Sequence, residues 1–256
     1  TIIGGPNFPI DKDEVALWMK EHTHIDFAIE RESEIPGANI LTRLFETDFD
    51  LAMATSSPVS GSYFLSRAGE LQHIYEPALR ELDEIPSPYL NGSMDEFLIQ
   101  DVKGFALIPL LETTRGCPFT CTFCTSGDKW YQKVREFTDE RVLAEIDYIA
   151  KILNKHNRKI SGVMVTDLNF GSFPRDAQIA EKLYSTYKEF GWPQSVMATT
   201  GKTRGERVLE TVAKHPGLAM TMSVQSMDDE VLDVIHRKNF PTDKFMEYQK
   251  QLKLEK

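Results

Sequence analysis

The stretch TTRGCPFTCTFCTSG, residues 113–127, holds every cysteine of a 256-residue chain: Cys117, Cys121 and Cys124. Their spacing, C-x3-C-x2-C, differs from the C-x2-C pairs of structural zinc ribbons and from the four-cysteine runs of ferredoxins. Three thiolates leave one position of a four-ligand site open, and the nearest downstream histidine, His156, is a whole helix away. An odd number of close thiols, in a chain that shows no secretory signal, reads as metal ligands or catalytic groups and not as a disulfide framework. If the metal is a [4Fe–4S] cluster, the iron without a protein ligand can bind a substrate or cofactor directly. Gly116 and Pro118 let such a loop wrap closely, with amides available to the cluster sulfurs.

Outward from the loop, the hydrophobic period switches repeatedly between two and 3.6 residues. FALIPLLET leads into the cysteines as an apolar strand. TDERVLAEIDYIAKILNKH then reads as an amphipathic helix capped by Thr138 or Asp139, and ISGVMVTDL as a second strand. Helix DAQIAEKLYSTYKEFG ends at Gly191, and strand SVMATT, helix GERVLETVAKHPG, strand LAMTMSVQS and helix DEVLDVIHRKN follow. About four strand-then-helix units imply a parallel sheet, in a barrel or an open wound form. Chemistry in such sheets sits beyond the carboxyl ends of the strands, where the cysteine loop falls.

Toward the N-terminus, TIIGG and IDFAIE read as strands and KDEVALWMKEHT and IPGANILTRLFE as helices. GSYFLSRAGELQHIY looks like a hairpin turning at RAGE, and LDEIPSPYLNGSMD like a proline-rich connector. The acidic runs DKDE (residues 11–14) and DDEVLD (near Asp228) read as helix starts matched to the helix dipole, not as metal sites.

With 41% hydrophobic residues the chain can bury a real core, as one large domain or two smaller ones. No run approaches the ~18 apolar residues of a membrane span, and the expected location is cytoplasmic. A formal net charge of -10 argues against broad nucleic-acid binding, which needs clustered Lys and Arg. A start on TIIGG without Met, and an end in the uncapped helical FMEYQKQLKLEK, suggest a fragment of a longer protein.

The segment CPFTCTFC resembles the signature of the radical S-adenosylmethionine (radical SAM) enzymes. The resemblance implies that Cys117, Cys121 and Cys124 hold three irons of a [4Fe–4S] cluster, whose fourth iron chelates the amino and carboxylate groups of S-adenosylmethionine. One-electron reduction, from a donor such as flavodoxin or ferredoxin, then yields methionine and a 5′-deoxyadenosyl radical that abstracts hydrogen. By the same resemblance Phe123 lies against the adenine. Where the family usually has a Gly-Gly-Glu-like segment, this chain has VTDLNFG, which makes Asp167 and Asn169 candidates for the methionine moiety; a polar turn broken at Gly171 is the competing reading. Ser223 and Gln225 share a face of the fourth strand at period two and resemble ribose or carboxylate contacts. Arg237 matches an arginine that approaches the S-adenosylmethionine carboxylate in related enzymes, yet with His236 it reads equally as a solvated helix end. Thr199 and Thr200 could line the pocket or be ordinary strand residues.

The first segment resembles the junction between a cobalamin-binding domain and the radical SAM core in class B-like members. Gly4 and Gly5 would then approach the corrin or its nucleotide tail; a tight turn after any strand is the alternative. No Asp-x-His-x-x-Gly segment that could supply an axial histidine occurs. The expected α/β architecture is therefore the C-terminal part of a Rossmann-like, cobalamin-binding-like domain (1–50), a hairpin and proline-rich linker (51–100), and a partial (β/α) radical SAM barrel of about four βα units, cut short at its C-terminus (101–256). The implied activity is methylation or a related radical modification of a small-molecule or peptide substrate. Two other readings stay open: a cobalamin-free methylthiotransferase acting on tRNA or protein, and a zinc-stabilised binding domain without catalysis.

Overall fold

A computed structural model describes residues 1–254 apart from Pro6, Asn7, Ile10, Val102, Ala106 and Met222; at residues 249 and 252–254 it describes the backbone alone. The chain divides into two compact units, Thr1–Arg80 and Glu81–Lys256.

The first unit runs β1 (Ile2–Ile3), α1 (Lys12–Glu21), β2 (Phe27–Ile29), α2 (Glu34–Glu46), α3 (Leu51–Ala54), β3 (Ser62–Leu65) and β4 (Leu71–His73). Its described sheet has the order β1-β2-β3-β4, with β1 and β2 parallel and the remaining pairs antiparallel. α1 starts where the acidic run is placed: the Asp11 carboxylate accepts from the amides of Asp13 and Glu14. Alternation along the strands buries both faces. Ala28 and Tyr63 pack with Val15 and Met19 of α1, while Phe27, Ile29 and Phe64 pack with Ile40 and Leu44 of α2. At the carboxyl end of β1, Gly4 and Gly5 are exposed. Gly5 has φ +112°, which favours glycine, and a Cβ on Gly4 would touch Ile29 at 3.4 Å.

The hairpin expected over residues 61–75 forms, with Gly69 at φ +76° in its turn. It is not part of a linker, however: Tyr63 pairs with Ala28, so the hairpin completes the first sheet. The proline-rich connector is not free either. Leu82 is 1% exposed in the core of the second unit, and the Asp83 carboxylate accepts from both the amide and the hydroxyl of Thr138. Packing, which composition does not report, moves the boundary to Arg80.

The second unit continues with α4 (Asp95–Ile99), β5 (Leu110–Leu111), β6 (Thr114–Arg115), β7 (Arg135–Glu136), α5 (Asp139–Lys155), β8 (Gly162–Phe170), α6 (Pro174–Phe190), β9 (Ser195–Thr200), α7 (Gly205–Ala213), β10 (Leu218–Thr221), α8 (Asp229–Val234) and α9 (Thr242–Leu254). Its main sheet has the order β10-β9-β8-β5 and is parallel throughout, the arrangement that alternating strand and helix periods predict. One face is covered. Val142, Ile146, Ile149 and Leu153 of α5, Ile179 and Leu183 of α6, and Val212 of α7 bury against Val163, Val165, Val196 and Leu218 of the strands. Each such side chain contributes roughly 1.5–3 kcal/mol of burial. On the other face Leu110, Met164 and Leu168 remain substantially exposed. β8 carries an irregularity: Val165 pairs with Ala198 and Phe170 with Thr200, so extra residues bulge between those pairs. Among the described residues no helix is long and apolar enough to cross a membrane.

Candidate active site at the cysteine loop

β6 and β7 form a short antiparallel ladder that brackets the cysteine loop, and Phe137 N closes onto Thr113 O at 3.1 Å. Within the loop Cys117 N donates to Tyr131 O at 2.7 Å, Cys124 N to Cys121 O at 3.2 Å and Gly127 N to Cys124 O at 2.8 Å. Two glycines are required by close approach. A Cβ on Gly116 (φ +109°) would stand 2.8 Å from both Tyr131 O and Lys133 O, and one on Gly127 would overlap Cys121 O. Cys117 and Cys121 are buried, Cys124 is partly exposed, and Phe123 is 52% exposed.

The bulge in β8 delivers two polar side chains to this loop. Asp167, 2% exposed, accepts from Thr113 N at 2.7 Å and Thr114 Oγ1 at 2.9 Å, and also from Thr113 Oγ1. Burial raises its pKa despite these donors. Its oxygens are occupied in fixing the strand end that enters the loop. Asn169, also 2% exposed, donates from Nδ2 to Cys117 Sγ at 3.3 Å, while its Oδ1 is buried without a hydrogen-bond partner. The polar-turn reading of this segment is therefore incomplete: Gly171 does break the strand at φ +87°, but before it Asn169 contacts Cys117 and Asp167 the Thr113–Thr114 strand end.

The turn after β9 reaches the loop from another side. Lys202 Nζ lies 3.5 Å from Cys121 Sγ and 4.9 Å from the centroid of the Phe119 ring. Gly201 permits this, because a Cβ there would collide with Ser172 Oγ and lie 3.6 Å from Asn169 Cβ. From α8, Ile235 O accepts the Thr122 amide at 3.1 Å.

Asp176 of α6 is fully buried; its Oδ2 accepts from Gly171 N at 2.7 Å and Phe173 N at 2.9 Å, and its Oδ1 has no partner. Burial pushes its pKa up to about 7, helped by the nearby Asp167.

Ser223 and Gln225 lie beyond the fourth strand of the series, whose ladder ends at the Thr221–Thr199 pair; both are exposed in the following loop. Arg237 is not a solvated helix end. It is 5% exposed, with Nη2 donating to Ser223 O at 2.6 Å and Nε to Asn239 Oδ1 at 2.8 Å, so it clamps that loop. Of the two threonines, Thr200 is buried and Thr199 exposed. Lys202, Ser172 and the Thr113–Thr114 pair escape the sequence reading. Only the position of Lys202, in a glycine turn at a strand's carboxyl end, could have drawn attention to it.

The donor set suits an iron–sulfur cluster: three thiols on one loop, two of them receiving N–H groups, beside an unpartnered buried acceptor. Among the described residues no three His, Cys, Asp or Glu side chains converge as one metal ion would require.

Comparison with known proteins agrees with this geometry. Residues 111–250 match the profile of the Radical SAM superfamily. The chain is 30% identical over 260 residues to the cobalamin-dependent radical SAM methyltransferase TokK of Streptomyces tokunonensis, covering 98% of this chain and 35% of that protein. It is equally similar, 30% over 261 residues with the same coverage, to the 2-(S-pantetheinyl)-carbapenam-3-carboxylate methyltransferase of Streptantibioticus cattleyicolor. The chain thus spans about a third of the length of these relatives. In fold it resembles the cobalamin-dependent S-adenosylmethionine radical enzyme OxsB (TM-score 0.65, 18% identity, 98% of this chain and 34% of that one). It also resembles the radical S-adenosylmethionine methyltransferase TsrM of Kitasatospora setae (TM-score 0.62, 12% identity, 99% and 47%). On its loop, its parallel sheet and the match across 111–250, the chain belongs to the radical SAM superfamily.

Proposed function

We propose that this chain is part of a cobalamin-dependent radical SAM methyltransferase, in which Cys117, Cys121 and Cys124 hold a [4Fe–4S] cluster and Gly4 and Gly5 approach the cobalamin. The observation that carries the reading is the three-thiol loop at the carboxyl end of a parallel sheet, with Asn169 and Lys202 donating to two of its sulfurs. When bound, the cluster and S-adenosylmethionine would supply a hydrogen-abstracting radical after one-electron reduction, and cobalamin a methyl group for an unactivated carbon or phosphorus.

The chain's own residues divide the remaining work. Asp167 holds the entry to the loop and Ile235 its middle. Phe123, exposed between two ligands, offers a ring face to an adenine. Asn169 Oδ1 offers a buried acceptor to an ammonium group. Arg237 supports the reading from a distance, by fixing the loop that carries Ser223 and Gln225. Electrons would come from a low-potential carrier such as flavodoxin or ferredoxin. Both sequence relatives quoted carry methyltransferase names, which supports methyl transfer over methylthiolation. The substrate is taken to be a small molecule or peptide.

The test is anaerobic reconstitution with iron and sulfide, followed by electron paramagnetic resonance of the dithionite-reduced protein with and without S-adenosylmethionine. A [4Fe–4S] signal that changes on addition, and is lost in Cys121→Ala, is expected. One zinc per chain and no cluster would overturn the reading in favour of a binding domain.

A further inference from the structure

We infer that Lys202 sets the electron affinity of the cluster, by holding a cation against one ligand sulfur. The inference rests on the functional reading above and adds to it a residue that neither the loop motif nor the strand-end motif contains. Lys202 Nζ stands 3.5 Å from Cys121 Sγ, at the long end of N–H···S contact. That placement is supported on two sides. The Phe119 ring lies under the ammonium at 4.9 Å, a cation–π contact within the loop itself. Behind it, Gly201 lets the turn press against Asn169 and Ser172, where any side chain would collide. The β8 and β9 turns therefore reach the thiol loop together, Asn169 at Cys117 and Lys202 at Cys121.

Reduction adds one electron to the cluster, taken from an external one-electron donor, and the added negative charge spreads onto the ligand sulfurs. Hydrogen bonds and positive charge at those sulfurs stabilise the reduced form more than the oxidised one, and so raise the potential. Asn169 contributes a neutral N–H; Lys202 contributes a full charge, the larger effect. It acts through Cys121 and is a positioning and tuning residue, separate from any contact with substrate.

The experiment is a redox titration of the whole, anaerobically reconstituted protein, followed by the resonance of the reduced cluster before S-adenosylmethionine is added, with iron and sulfide counted in each sample. Lys202→Met is expected to keep its cluster but to show about a tenfold lower ratio of reduced to oxidised form at a fixed ambient potential, which is ~59 mV for a one-electron couple. Lys202→Arg is expected to keep the wild-type value. An unchanged potential in Lys202→Met, or an equal fall in Lys202→Arg, would overturn the inference while leaving the functional reading intact. If Lys202→Met and Lys202→Gln both lose the cluster while Lys202→Arg keeps it, Lys202 serves loading and the tuning role falls. Absence of any cluster from the unaltered protein removes the functional reading itself.

Discussion

Replacing Asp167 by Ala and by Asn separates two effects that oppose each other at one buried carboxylate. The Ala variant removes the acceptor of three donors, all on residues that are themselves nearly or fully buried: Thr113 at 0% and Thr114 at 4% exposure. The two hydroxyls can rotate, so each loses about 1 kcal/mol; the Thr113 amide cannot, and stranding it costs about 1–3 kcal/mol. Against this, removing the carboxylate relieves a desolvated charge, since burial is what raises its pKa. Unpaired donors outweigh that relief only where nothing replaces the acceptor. Asp167→Ala should therefore lose about 3–5 kcal/mol before this relief is counted, and take up less iron because the entry to the loop is released. Asp167→Asn keeps an oxygen for the Thr113 amide, offers N–H groups to hydroxyls that can turn to accept, and carries no charge. It should lie within about 1 kcal/mol of the parent at pH 7.

The sign of the pH effect follows from linkage. With its folded pKa above the unfolded value, the native state binds this proton first, so stability from the group is present at low pH and is lost as pH rises through the folded pKa. Urea unfolding in a pH series starting near the ordinary carboxylate pKa of about 4 should show the Asn variant gaining on the parent as pH rises. Equal loss in Asn and Ala would mean that the charge itself holds Thr113, and an unaffected Ala variant would leave the anchor without weight; either result refutes the reasoning.

Asp176→Asn should flatten stability against pH. The group's pKa is raised to about 7 by burial, so the parent loses up to roughly 4 kcal/mol between about pH 4 and 7, a slope that thermal melts in a pH series would show and that the variant should lack. Gly127→Ala drives a Cβ into the Cys121 carbonyl, so iron uptake should fall well below half while the circular dichroism of the rest stays native. Full iron loading in that variant would show that the loop closes differently.

Much of this fold is written in local patterns. The stripe Val142, Ile146, Ile149, Leu153 places α5 against the sheet, and Thr138 caps it by accepting from Arg141 N, as its position suggests. The three cysteines are legible for the same reason, because their chemistry and spacing lie within eight consecutive positions. What the sequence conceals depends on approach between distant residues. Thr113 and Asp167 are 54 positions apart, and Cys121 and Lys202 are 81. An aspartate in VTDLNFG does not announce that its oxygens meet Thr113 and Thr114. Ser223 looks like a strand residue until the ladder is seen to stop at Thr221. The proline-rich segment looks like a linker because composition says nothing about burial; Leu82 and Asp83, on a single 3-10 turn (Leu82–Glu84), are held within the second unit by the core around Leu82 and by Thr138 at Asp83.

These long-range contacts have a common direction. The cysteine loop is built of short turns with their own backbone bonds, and other segments grip it from outside. Asp167 and Asn169 come from β8, Lys202 from the turn after β9, and Ile235 from the helix that follows β10. In a parallel sheet the carboxyl ends of β8 and β9 lie at the same end, so topology brings Asp167, Asn169 and Lys202 to one place, and the C-terminal end of α8 adds Ile235. Each contributes a group suited to its target: a carboxylate for amide and hydroxyl donors, N–H groups for sulfurs, a carbonyl for an amide. Each grip falls on a different residue of the loop or its entry strand. Lys202 should therefore be separable from the others: its removal changes the charge at Cys121 and leaves in place the grips at Thr113, Cys117 and Thr122.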